Sequence, residues 1–375
     1  MNLARVHEAI AAAIPERECI VFRERRHSWA RTTERSRRLA DVLRRHGLGC
    51  RRERPGLAGH ESGQDHVALY LYNGNEYLEG MLGAFKARAA PFNVNYRYVD
   101  EELAYLFADA RARAVIYHAS FAPTLARVRA HLSEVALWLQ VDDGPGEALL
   151  PGALDYEAAL SGAEPRPPEG LSPDDLYILY TGGTTGMPKG VLWRQEDVFH
   201  AALNPHGARD LGALVERARE RGPRVLPAPP FMHGAAHWAA FTAWHVGGTV
   251  VVQSETRRLD ARDLWSTIER EEVNALTIVG DAFARPLLDE LARGRHRIAS
   301  LRRLTTGGAF LSAGCKREFL ERIPGLRILD ALGSSESGAQ AAKTFSPPLL
   351  IVADSRPSRR SRPSGSRIAR SPGTA

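Results

Sequence analysis

The sequence predicts an α/β protein whose parallel sheets are covered by helices on both faces. Short apolar runs alternate with helically periodic segments from residue 67 onward, and the alternation returns from residue 263. Length adds a third observation: 375 residues exceed one small core and suggest two or three domain-sized units. Residues 67–72 read as a strand, 76–86 as a helix and 90–94 as a second strand. Asp100 is the expected N-cap of a helix that places Leu103, Leu106, Phe107 and Ala110 on one face. Residues 114–117 read as another strand. The same pattern recurs at 263–271, 276–279, 282–291, 301–306, 312–322 and 326–329. Residues 144–173, rich in proline and glycine, read as surface loops. The expected division is a first α/β unit at 1–170, a second at 171–343 and a tail at 344–375.

The bulk composition, 44% apolar and 25% charged, is that of a globular protein. No apolar run approaches the roughly 20 residues a membrane helix needs, and the first residues lack the charged-then-apolar plan of a signal peptide. A cytoplasmic location is the expectation. Cysteines 19, 50 and 315 are too few and too scattered to indicate a disulfide framework or a zinc site. The net charge is +6, but residues 344–375 hold six arginines and one acid, which leaves about +1 for the rest. A near-neutral body excludes a broad electrostatic footprint for nucleic acid. The tail also holds five prolines, seven serines and two glycines, a composition expected to be disordered.

One segment stands apart. Between the apolar runs 176–180 and 191–193 lie Thr181, Gly182, Gly183, Thr184, Thr185, Gly186, Met187, Pro188, Lys189 and Gly190. Glycines let backbone N–H groups turn toward a ligand, threonines add hydroxyl donors, and lysine adds one point charge. Together they suit phosphate oxygens. An NTPase P-loop would place Gly-Lys-Ser/Thr at a helix start; here strand-like residues resume after Gly190. Lys189 is the only lysine near any motif in a chain that has four. His233 and His237 stand four apart, but Gly234 follows His233 where a zinc peptidase motif has glutamate, so a metal pair is not expected.

The phosphate-type segment resembles the nucleotide signature of the adenylate-forming superfamily, which includes acyl-CoA synthetases, luciferases and peptide-synthetase adenylation domains. Three further stretches resemble its later motifs in order: Pro229-Pro230-Phe231-Met232-His233-Gly234, Thr305-Thr306-Gly307-Gly308-Ala309, and Leu329-Asp330-Ala331-Leu332-Gly333-Ser334-Ser335-Glu336. The agreement spans residues 1 to about 343, and the flanking text is most similar to bacterial fatty-acyl-CoA synthetases. The resemblance implies two stacked doubly wound α/β subdomains. It also implies that a small β-barrel and a mobile C-terminal lid would follow, and the tail replaces them, so a truncated chain is expected.

The implied reaction uses ATP, Mg²⁺ and coenzyme A to convert a carboxylic acid, expected to be fatty, first to an acyl-adenylate and then to a thioester. By resemblance, Lys189, His233 and Glu336 are the catalytic candidates, with His233 beside the acyl group. Thr181, Gly182, Gly183, Thr184, Thr185, Gly186 and Lys189 would hold the β- and γ-phosphates. Gly307, Gly308 and Ala309 would flank the adenine, with Asp330, Ala331 and Leu332 opposite. Ser335 would touch the α-phosphate, and Gly333 and Ser334 beside it would belong to the same nucleotide-binding element. Thr181 and Glu336 would hold the magnesium. Leu332 takes the place where the family has an aromatic ring. The residues near 231–238 and 280–283 are small or apolar and favour an apolar acid. The alternative expectation is a nucleotide-binding remnant that no longer catalyses.

Overall fold

The computed structural model describes residues 1–142, 148–182, 186–204 and 206–346. The chain opens with α1 (Leu3–Ala13), the hairpin of β1 (Glu18–Phe22) and β2 (Arg25–Ser28), and α2 (Trp29–Arg45). Next come β3 (His66–Tyr70), α3 (Asn75–Lys86), β4 (Ala90–Asn93), α4 (Asp100–Asp109) and β5 (Ala112–His118). They lead through α5 (Ala122–Val128) to β6 (Leu137–Val141), β7 (Leu154–Asp155), α6 (Tyr156–Ser161), β8 (Leu176–Thr181) and β9 (Lys189–Arg194). The rest runs α7 (Gln195–Val198), α8 (Leu211–Arg219), β10 (Arg224–Pro227), α9 (Gly234–Trp244), β11 (Thr249–Val252), α10 (Ala261–Arg270) and β12 (Ala275–Ile278). It ends with α11 (Gly280–Leu291), β13 (Arg303–Thr306), α12 (Ala313–Arg322) and the hairpin β14 (Arg327–Ser334) and β15 (Gly338–Phe345).

Two sheets form. One has seven strands in the order β7-β6-β5-β3-β4-β8-β9, the other eight in the order β15-β14-β13-β12-β10-β11-β1-β2. Both are parallel inside and antiparallel only at edges: β8 with β9, β14 with β15 and β1 with β2. Sheet membership crosses the expected boundary at 170/171 in both directions. β1 pairs with β11 (Ile20 opposite Val250), and β8 pairs with β4 (Phe92 opposite Ile178).

Alternation along the inner strands explains the layers. Val67, Leu69, Ile20, Phe22, Val250 and Val252 face a shared core between the sheets. Their neighbours Ala68 and Tyr70 face an outer core with α4 and α5, while Val21 and Val251 face another with α10, α11 and α12. Buried on both faces, these strands have near-continuous apolar sequences, and each fully buried Val or Leu contributes about 1.5–3 kcal/mol.

The structure corrects two local expectations. Val99, not Asp100, occupies the N-cap of α4, and Glu102 reaches back to accept the Val99 N–H at 3.0 Å. Within the supposed loop 144–173, β7 and α6 form because Tyr156 and Leu160 are apolar anchors. The Tyr156 hydroxyl donates to Glu79 at 2.9 Å, and Glu79 and Glu157 share Arg35 at 2.7 and 2.6 Å. Of the expected tail, Thr344 and Phe345 close β15; residues 347–375 lie outside the described residues.

Because β1 fills the position between β11 and β2, a fragment of residues 171–346 should expose the backbone of Val250, Val251 and Val252 as an unpaired edge. We expect that fragment to aggregate or remain unfolded. Dispersed amide resonances in its NMR spectrum would show that β1 is dispensable.

Candidate active site

The motif loops follow the C-terminal ends of parallel strands, where open α/β sheets bind ligands. Two buried asparagines fix the first of them. Asn93, the last residue of β4, accepts the Tyr180 N–H at 2.7 Å and donates to the carbonyls of Tyr180 (2.8 Å) and Met232 (2.7 Å). Asn73, three residues after β3, accepts the Phe231 N–H at 2.6 Å and donates to the Pro229 carbonyl at 3.0 Å. The first sheet therefore grips residues 229–232 and, through Asn93, binds them to the strand that leads into the glycine-rich loop. Sequence reading missed both residues. The available signal was a polar amide at the end of each of two apolar parallel strands, Tyr72-Asn73 and Phe92-Asn93.

β8 and β9 are paired down to Thr181 opposite Lys189, so the lysine and the threonine face each other at the base of the loop. Gly190 is required there: a Cβ would lie 2.7 Å from the Tyr180 ring, which is anchored by a 2.6 Å bond to Asp109. Gly186 has φ +115° and Gly182 has open space on its Cβ side, consistent with a loop that presents its backbone. Lys189 is exposed and makes no ion pair among the described residues. Gly183, Thr184 and Thr185 lie outside the described residues.

The two histidines separate cleanly. His237 is buried; its Nδ1 donates to the Phe231 carbonyl at 2.7 Å, and its Nε2 accepts from the Tyr177 hydroxyl, which accepts from Trp238 at 3.0 Å. Both ring nitrogens are committed, so it has no atom left for a metal. Burial pushes its pKa down to about 4. His233 is the N-cap residue of α9, with its ring exposed at the cleft and no capping bond. Surrounding cleft walls desolvate it despite that exposed edge, and with Arg97 they hold it below the usual imidazole range.

On the opposite side, β13 and β14 pair Thr306 with Asp330 and set Gly307 against the Ala331 carbonyl, 3.1 Å from where a Cβ would stand. Gly280, in the left-handed region at φ +58°, admits the Phe310 carbonyl 2.6 Å from its missing Cβ. Lys316 of α12 pairs with Asp330 at 2.5 Å, so Lys189 is not the only lysine beside a motif. β14 ends at Ser334 and the turn beyond it carries Ser335 and Glu336; the Ser335 carbonyl accepts from Trp193 of β9 at 2.7 Å. That contact unites the turn with the strand that begins at Lys189. Gly333 is exposed, and Ser334 bonds to Ser337 at 2.8 Å. Glu336 is exposed, and among the described residues it makes no ion pair and no direct bond to Lys189, His233 or Thr181.

The residues fit a magnesium–polyphosphate ligand. Among the described residues, neither the Lys189 ammonium nor the Glu336 carboxylate has an ion-pair partner. A hydroxyl and a carboxylate, the groups carried by Thr181 and Glu336, are oxygen donors of the kind magnesium accepts alongside water.

Replacing Asn93 with Ala leaves the Tyr180 N–H and two carbonyls unpaired, and should cost about 3 kcal/mol of stability in urea unfolding. Acid should act through His237 and His245, the latter also buried and pushed down to about 4. Unfolded imidazoles titrate near 6.5. Between that pH and about 4 the unfolded chain therefore binds the extra proton, and stability falls as pH falls, by about 1.4 kcal/mol per pH unit for each ring. The loss is complete below about 4. His237→Gln should remove one ring's share of the slope in urea titrations across this range; an unchanged slope would contradict the assignment.

Comparison with known proteins gives the family and the fold. The AMP-binding enzyme family matches residues 7–366. The chain is 49% identical over 346 residues to a medium-chain acyl-CoA ligase, Mig, of Mycobacterium avium, covering 89% of this chain and 62% of that protein. It is 36% identical over 353 residues to a 3-oxocholest-4-en-26-oate–CoA ligase of Rhodococcus rhodochrous, covering 90% and 61%. Among solved structures, the fold is shared with the anthranilate CoA ligase AuaEII bound to anthranoyl-AMP (TM-score 0.79, 19% identity, 93% of this chain and 62% of that one). The N-terminal domain of FACL13 from Mycobacterium tuberculosis also matches (TM-score 0.72, 23% identity, 89% and 75%). The chain spans about 62% of the length of the first of these ligases. This chain belongs to the AMP-binding enzyme family.

Proposed function

We propose that this chain activates an apolar carboxylic acid with ATP and, within a whole acyl-CoA ligase, passes the acyl group to coenzyme A. The observation that carries the reading is the unpaired Lys189 ammonium at the base of a glycine-rich loop, opposite Thr181. Among the described residues no carboxylate pairs with it, and a polyphosphate is an anion that suits it. The M. avium relative is named for medium-chain acids and the R. rhodochrous relative for a steroid acid, so the favoured substrate class is a medium-length or bulky apolar acid.

The carboxylate attacks the α-phosphorus, a P–O bond forms, and pyrophosphate leaves with the electron pair of the broken α–β bridge. Covalent work by the protein is small; positioning and charge stabilisation dominate. Lys189 faces the charge that accumulates on pyrophosphate. Magnesium, held by Glu336 and Thr181, would supply Lewis acidity to the phosphate oxygens. His233, held below the usual imidazole range, is largely neutral at pH 7 and leaves the attacking carboxylate unpaired and nucleophilic. Phe231 and the partly buried Trp238 offer apolar surface beside it. A cytoplasmic setting belongs to the same reading, since ATP and coenzyme A are drawn from that pool.

Pyrophosphate exchange with a panel of fatty, aryl and steroid acids tests the proposal. We expect acid-dependent exchange, reduced about 10²-fold in Lys189→Ala. Nucleotide binding without exchange would favour a non-catalytic nucleotide-binding role. Absence of nucleotide binding would refute both.

A further inference from the structure

β13 and β14 carry two arginines side by side. Arg303 stands opposite Arg327 in the parallel register, both exposed at the N-terminal ends of their strands. Among the described residues neither side chain has a hydrogen-bond or ion-pair partner. Like charges set side by side in a sheet are destabilising. We propose that these two guanidiniums receive an oxygen at the far end of the acyl substrate, a keto group or a second carboxylate, while the acyl chain lies along the inner face of β13 and β14. The assignment rests on the acid-activation reading above and adds the groups that select among apolar acids.

Alternation decides which way these side chains point. Leu304 and Ile328 face the core under α10, α11 and α12. Arg303, Thr305, Arg327, Leu329 and Ala331 therefore face the other way, toward the space between the sheets. On that side α9 covers β10, β11 and β12, and Thr305, Leu329 and Ala331 are left half-buried. The π-helical turn Phe199–Leu203 touches both α9 and β15, so it spans β13 and β14 from above. Its Ala201 lies 2.8 Å from where a Cβ of Gly338 would stand, and Gly338 pairs with Ser334 at the cleft end of β14. At the other end Arg217 and Arg303 both act on the His206 ring, which follows the same turn. Ala201 thus marks the cleft end of a furrow floored by β13 and β14, and His206 marks its arginine end. Arg303 is reached by solvent there, yet the surrounding protein desolvates its guanidinium and holds it below the ordinary range.

The strand from Arg303 to Gly307 is about 13 Å long, a distance that a medium-length acyl chain spans when its carboxylate lies in the cleft. Thr305, Leu329 and Ala331 offer methyl and methylene surface along the way. A guanidinium only donates, so a methyl terminus gives the arginines nothing, whereas a keto or carboxylate oxygen accepts from both. A carboxylate also relieves the repulsion between them. A hydrogen bond to a charged group corresponds to about tenfold to a hundredfold in affinity. The two ends of the substrate are separable by experiment, because activation takes place at the cleft and selection at the far end of the furrow.

Calorimetric titration of the full chain with decanoate, 9-oxodecanoate and decanedioate makes the test, in the presence of α,β-methylene-ATP, which cannot release pyrophosphate. Pyrophosphate exchange with the same three acids and ATP reads the activation step separately. We expect the two oxygenated acids to bind about tenfold more tightly than decanoate. In Arg303→Met that ratio should fall to about one, with the thermal unfolding midpoint showing that the fold is intact; Arg327→Met repeats the test if the first variant does not fold. Arg303→Lys should keep part of the preference for decanedioate. Exchange with all three acids at equal affinity overturns the assignment and leaves the activation reading standing. A parallel loss for all three acids in Arg303→Met also overturns it, since that marks a structural role. If no acid binds and none supports exchange, the activation reading fails and this assignment falls with it.

Discussion

A segment with two consecutive prolines cannot bind itself into a sheet, because neither nitrogen carries a proton. Residues 229–232 are such a segment, and their remaining backbone groups are buried between two sheets. An unpaired buried N–H or C=O costs about 1–3 kcal/mol. Asn73 and Asn93 remove that cost from the far side, with amide groups that stand where strands β3 and β4 run out. The rest of the cleft depends on this clasp. It fixes the start of α9, hence His233, and through the second arm of Asn93 it sets that helix relative to β8 and the loop beyond Thr181.

Charge is distributed with the same economy. Arginines of the body are largely occupied: Arg35 with Glu79 and Glu157, Arg88 with Asp175 and Glu53, Arg224 with Glu18 and Glu271. Lys86, buried and lowered to about 8 mainly by desolvation, is held by Glu8 at 2.7 Å. Among the described residues Lys189 and Glu336 make no ion pair, as is true of other exposed charges such as Lys343 and Glu321, but these two stand within motif segments. Lys316 shows the contrast, since its pairing with Asp330 makes it part of the wall and not a free charge.

Much of this was legible in the sequence, for a physical reason. Periodicity is local, so the βα alternation from residue 67 and the two strands around the glycine-rich loop could be read from their own residues. Pairing is not local. Nothing in Glu18–Phe22 reveals that it inserts beside Thr249–Val252, because both are simply apolar strands. Asn73 and Asn93 look like ordinary loop residues until the Pro229–Met232 segment is set against them. Lys316 lies on a helix with no motif and meets Asp330 only when β14 is laid beside β13. Composition misled at 156–161, where a short helix hides in proline-rich text because its stability comes from Glu79 and Arg35 rather than from its own propensity.

The two histidines of α9 show how one helix can divide structure from chemistry. They lie four residues apart, about one turn, and by spacing alone form a pair. His233 precedes the first turn, where no preceding helical backbone covers it, so its ring meets the cleft. His237 lies one turn further in and is roofed by Tyr177 and Phe231, with every ring nitrogen bonded. Because the Phe231 carbonyl can only accept, the neutral His237 keeps its proton on Nδ1, its Nε2 accepts from Tyr177, and Tyr177 accepts from Trp238. That one-way chain fixes the tautomer without any charge, and its last acceptor belongs to the segment clasped by Asn73. The neutral relay therefore stiffens the platform on which His233 stands, and an added proton on His237 would oppose the Tyr177 hydroxyl and loosen it.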